Sequence, residues 1–149
     1  MESGVDLRPR RLLFGLWIAI GIQLLGQIVD VKWHAAHGSH FRSASEQVQA
    51  HWVTWLGIAV MLVVSAAAVR SGQAKAGHGF TVALVASAFL ALAQAWNFWE
   101  HAHGRPAVPA HVIMVVSRLG ILVAVGLATH EVLGRDEPEA VGFFRPPKK

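Results

Sequence analysis

Residues Gln94 to His111 read QAWNFWEHAHGRPAVPAH, and they decide what kind of fold the chain adopts. Stepping back from His101 at helical spacing meets Asn97 and then Gln94. Side chains three and four residues apart lie above one another on a helix, so these three form a polar stripe down an otherwise apolar segment. After His101 come Gly104, Arg105, Pro106 and Pro109, which break the helix and start another, opened by His111. An earlier stretch repeats the arrangement: Gln27, Asp30 and His34 have the same spacing, and His51 answers from the following helix. Both triplets read Gln-x2-(Asp/Asn)-x3-His, which predicts two repeated helical hairpins with paired polar stripes.

The segments carrying these stripes are too apolar for a soluble domain. Hydrophobic residues make up 54% of the 149-residue chain, and mean hydropathy is +0.44. A bilayer core of about 30 Å is crossed by roughly 20 apolar residues in helical form. Four segments meet that length, about 12–33, 52–69, 80–99 and 110–129. The expectation is an all-α bundle of four transmembrane helices over residues 12–130, with a short leader at 1–11 and a flexible, charged and proline-rich tail at 131–149. The apolar run after the N-terminal arginines lacks a small-residue cleavage site and ends in the charged half of the motif, so it reads as a retained helix.

The net charge of +4 matters less than its placement. Arg8, Arg10 and Arg11 precede the first helix, Arg70 and Lys75 follow the second, and Arg135, Arg145, Lys148 and Lys149 follow the fourth, whereas the opposite loops hold Lys32, Arg42 and Arg105. The positive-inside rule then predicts that both termini are cytoplasmic, in a plasma or inner membrane, with the paired histidines on the extracytoplasmic side. That distribution excludes a nucleic-acid role. The tryptophans at 33, 52, 55, 96 and 99 suit the interfacial belt.

With no cysteine, thiolate sites and disulfides are excluded, and a metal must be held by imidazole, carboxylate or amide. Asp30, His34 and His51 offer one carboxylate and two imidazoles; Asn97, His101 and His111 offer an amide oxygen and two imidazoles. Mixed nitrogen and oxygen ligation suits copper(II), zinc, nickel or iron(II), with affinity peaking at copper. A haem clamp places its histidines deeper, and a di-iron bundle needs repeated Glu-x-x-His. Gln27, Gln94, Glu100 and Arg118 are candidates for supporting roles around these ligands. Arg118 falls seven residues past His111, on the same face two turns deeper, where an ion calls for a function or a partner such as Asp30. His37 and His40 are read as exposed loop histidines, and the pattern assigns His103 no role.

Asp30-Val31-Lys32-Trp33-His34 followed by His51 resembles the Asp-x-x-x-His…His copper motif in the C subunit of particulate methane and ammonia monooxygenases. Asn97-Phe98-Trp99-Glu100-His101 followed by Pro109-Ala110-His111 resembles the second motif of that subunit, Asn-x-Trp-x-His…Pro-x-His. The resemblance covers roughly Leu12 to His130. It implies a copper protein in which the first three residues match one site and the second three another, with O2-dependent oxidation of a small apolar substrate. It also implies a trimer or additional membrane subunits. The alternative from another class is a membrane metal-binding or metal-handling protein without oxidation chemistry.

Overall fold

The computed structural model describes residues 8–37, 44–72, 78–105 and 107–134. These form four helices: α1 (Arg8–His37), α2 (Ala44–Arg70), α3 (Gly79–Ala102) and α4 (Val108–Leu133). All four are long and apolar enough to cross a membrane. At 1.5 Å per residue the shortest, α3, spans about 36 Å and the longest, α1, about 45 Å, so each extends past a hydrocarbon core of about 30 Å.

The helices reach beyond the spans expected from hydropathy. α1 begins at Arg8, inside the expected leader. α2 begins at Ala44, because the polar stretch from Ser45 to Ala50 holds no glycine or proline and continues straight into the apolar run. His51 therefore lies two turns inside α2 rather than at its mouth. α4 continues through Glu131 to Leu133, into the expected tail. The physical reason is a specific contact: the Glu131 carboxylate accepts hydrogen bonds from the backbone N–H of His78 (2.8 Å) and of Gly79 (3.1 Å), at the start of α3. A helix N-terminus leaves such groups without internal partners. His40, Lys75 and residues 135–149 lie outside the described residues.

In the bundle α1 packs on α2, α2 on α3 and α3 on α4; α1 and α4 close the ring more lightly. Trp17 Nε1 donates to Thr129 Oγ1 across that last seam (3.2 Å). Leu16, Ile58, Met61, Leu90 and Val125 fill the centre, with Ala19, Ala68, Ala124 and Ala128 fully buried between them. The outer surface is as apolar as the core: Phe14 is 67% exposed, Val63 69% and Leu92 68%. Such a continuous apolar exterior suits lipid rather than water.

Two glycines set the α1–α2 crossing. A Cβ on Gly26 lies 2.7 Å from the Thr54 backbone nitrogen, and one on Gly57 lies 2.9 Å from that of Gln23. Any side chain there forces the helices apart, so hydrogen at both positions permits backbone-to-backbone approach. This close crossing is next to Gln27, Asp30 and His51, and it brings them face to face.

Candidate metal centre

Helical spacing places Gln27, Asp30 and His34 on one stripe of α1, and Gln94, Asn97 and His101 on one stripe of α3. His51 and Thr54 project from α2, and His111, Met114 and Arg118 from α4. All eleven side chains line a single cavity of about 110 Å³. The two halves of the sequence thus converge on one chamber, where the motif by itself assigned each half its own site.

The tightest cluster is Asp30, His34 and His51. Asp30 Oδ1 lies 3.0 Å from His51 Nδ1 and 3.3 Å from His34 Nε2. One potential ligand atom from each residue falls within 4.8 Å of the others. Metal–donor bonds of about 2.0–2.2 Å at tetrahedral or right angles separate neighbouring donors by about 2.8–3.6 Å, and both measured distances fall in that range. Asp30 Oδ1 sits between the two imidazoles yet accepts no hydrogen bond of good geometry among the described residues, which leaves a buried carboxylate oxygen unsatisfied. His51 is buried and Asp30 half-buried, which keeps most water away from the cluster.

The opposite wall holds Asn97, His101 and His111. The His101 and His111 rings lie 6.1 Å apart, close to the 6.2 Å between His34 and His51. His111 Nδ1 is 2.8 Å from the Ala107 carbonyl, to which it donates as the Nδ1–H tautomer. That leaves Nε2 with its lone pair for the cavity, the orientation a backbone carbonyl imposes on ligating histidines. Asn97 Oδ1 and Gln94 Oε1 are buried and accept no hydrogen bond among the described residues, and Arg118 Nε is likewise unpartnered. A buried polar atom left so is costly, which points to water or an ion in the chamber. The donor set fits a transition-metal cation: a carboxylate, imidazoles and amide oxygens around a polar space, with no competing thiolate.

Of the expected residues, Asp30, His34, His51, Asn97, His101, His111, Gln27, Gln94 and Arg118 all reach the cavity. Glu100 does not line it; its carboxylate accepts a hydrogen bond from Trp96 Nε1 (2.8 Å) on the outer face of α3. Arg118 forms no salt bridge with Asp30 among the described residues, since Asp30 faces the two histidines instead. His37 and His103 are exposed, each with Nδ1 against the carbonyl four residues earlier, that of Trp33 at 3.0 Å and of Trp99 at 2.7 Å.

Three participants carried no motif signal. Thr54 and Met114 each sit three residues past a cavity histidine, so the helical step from His51 and His111 was enough to find them. Gln47 is buried and donates to the Phe98 carbonyl at 3.1 Å, tying α2 to α3 beside the site; only the extension of α2 to Ala44 brings it there. The chain matches no family model, no curated protein and no solved structure.

Proposed function

We propose that this chain is an integral membrane metal protein that holds a transition-metal ion, copper by preference, between Asp30, His34 and His51. Asn97, His101 and His111 complete the chamber. The observation that carries this reading is the convergence of a carboxylate and two imidazoles within 4.8 Å in a cavity lined by three further donors. The order copper above nickel, zinc and iron follows general affinities for nitrogen and oxygen donors; zinc and iron are the alternatives. Because imidazoles must give up a proton or a hydrogen bond to bind a cation, metal capture replaces the Asp30–His51 and Asp30–His34 contacts.

The similarity of both motifs to the C subunit of the copper membrane monooxygenases extends the proposal to activity: O2-dependent oxidation of a small apolar molecule. Bound copper supplies the redox chemistry. The protein's share is to hold the donors and to exclude water. His111 is oriented by the Ala107 carbonyl and His51 by Asp30, while deeper in the bundle Leu16, Ile58, Leu90 and Ile121 fill the interior. The repeated hairpins and the arginines at 8, 10, 11 and 70, at the end remote from the cavity histidines, support an extracytoplasmic site in a plasma or inner membrane. A trimer, or further membrane subunits, follows from the same resemblance.

A second reading, metal binding without oxidation, is favoured by one observation. The chamber is small and lined mainly by polar groups, which suits an ion and its waters better than an apolar molecule.

The test is elemental analysis and copper EPR on full-length protein in lipid nanodiscs, beside His34→Ala. Bound copper in the parent that is lost in the variant supports the metal centre. Metal-free parent, or a variant that holds copper as the parent does, refutes it. O2 uptake by copper-loaded protein with reductant then separates oxidation from simple binding.

A further inference from the structure

The end of the bundle away from the metal chamber carries charge of one sign. Gly15 packs against Val64 and Gly26 against Thr54, so α1 and α2 run antiparallel and the start of one meets the end of the other. Arg8, Arg10, Arg11 and Arg70 gather there, all exposed. The described carboxylates do little to offset them. Asp30, Glu46 and Glu100 lie toward the opposite ends of α1, α2 and α3, and Glu131, which shares this end, is held by the backbone N–H groups of His78 and Gly79.

Two of these arginines line one groove. Arg8 joins Val63, Ala66, Ala67, Arg70 and Ser71 around a cleft of about 540 Å³. Val63, Ala66, Ala67 and Arg70 recur at helical spacing, which makes them one stripe of α2 with an arginine at its end. From Arg70 to Val63 the stripe runs about 10 Å toward the middle of the bundle, and the two alanines leave it hollow. Ser71 donates its N–H to the Ala67 carbonyl and its hydroxyl to that of Ala68, each at 3.0 Å. What the groove presents to an anion is therefore guanidinium, whose five N–H donors match the geometry of a phosphate.

We infer that this groove binds one anionic phospholipid, with its phosphate at Arg8 and Arg70 and the first part of an acyl chain along Ala67, Ala66 and Val63. Basic pockets at the ends of membrane helices suit anionic headgroups, and the apolar floor, open to the bilayer, takes a chain that a free phosphate lacks. A zwitterionic lipid brings its ammonium group to the same arginines and is repelled. The placement of basic residues assigns this end to the cytoplasmic leaflet, which is rich in anionic lipid. The inference does not rest on the metal centre.

The experiment is native mass spectrometry of the full-length protein released from nanodiscs of equal parts phosphatidylglycerol and phosphatidylcholine with matched acyl chains. A basic residue near a membrane surface contributes about fivefold, so the parent is expected to retain one phosphatidylglycerol with about 25-fold preference. Arg8→Gln and Arg70→Gln are each expected to lower that preference about fivefold. Arg11→Gln removes the same charge from the same end without lining the groove, and is expected to leave it unchanged. Ala67→Leu fills the hollow on an exposed face while keeping both arginines, and is expected to abolish retention. Equal retention of the two lipids by the parent, a measurement that needs no variant, overturns the site. So does a loss in Arg11→Gln as large as in Arg70→Gln, which makes the attraction diffuse, or undiminished retention in Ala67→Leu.

Discussion

Replacing Gly26 by alanine tests whether the close α1–α2 crossing builds the site. The new methyl carbon lies 2.7 Å from the Thr54 backbone nitrogen and 2.9 Å from its Cα, against an ordinary contact of at least 3.4 Å. Relief requires the two helices to separate by about 0.7 Å at that level, because the obstacle is backbone and cannot rotate away. Overpacking of this kind costs about 1–3 kcal/mol, or about 5- to 150-fold in the unfolding equilibrium. Thr54 is one turn from His51, so the same displacement pulls His51 away from Asp30 and weakens copper binding by about tenfold. Gly21, on the same helix, is the control: a methyl there meets nothing within 4 Å, and alanine gains up to about 1 kcal/mol of helix propensity. The assays are SDS titration of helical circular dichroism in mild detergent micelles and chelator competition for copper. If Gly26→Ala unfolds at the same SDS fraction as Gly21→Ala and holds copper equally well, the crossing does not position the site.

Copper binding should weaken as pH falls, because a proton competes with the cation for each imidazole lone pair; a flat chelator-competition profile between pH 7.5 and 5 argues against histidine ligation. Glu131→Gln removes the charge from the carboxylate that accepts the His78 and Gly79 backbone N–H groups, and should cost about 0.5–2 kcal/mol in the SDS titration. Because Glu131 lies at the opposite end of the bundle from the cavity histidines His34, His51, His101 and His111, copper affinity should be unchanged in that variant, and a parallel loss of copper contradicts the assigned separation of the two ends.

Hydropathy and spacing alone determined much of this protein. Four runs near 20 apolar residues leave few options for a backbone that must satisfy its own hydrogen bonds, so helices were legible without a structure. The period of 3.6 residues was equally sufficient to align Gln27, Asp30 and His34 on one stripe and Gln94, Asn97 and His101 on another, since it is a local property of the chain. Helix ends were less legible: Ala44 starts α2 because nothing stops it sooner, and Glu131 stays helical because a distant N-terminus binds it.

Tertiary packing decided what the stripes do together. Whether two polar stripes face separate pockets or one depends on how the hairpins dock, which is governed by close approaches such as Gly26 against Thr54 and by contacts such as Gln47 to the Phe98 carbonyl. None of these has a periodic signature. The pairing of Asp30 with two histidines, the removal of Glu100 to the outer face, and the opening of Arg118 into the same cavity are all outcomes of that docking. Local spacing names the donors; only the folded chain shows that they share one space, because shared space is a property of distances between helices and not of positions along them.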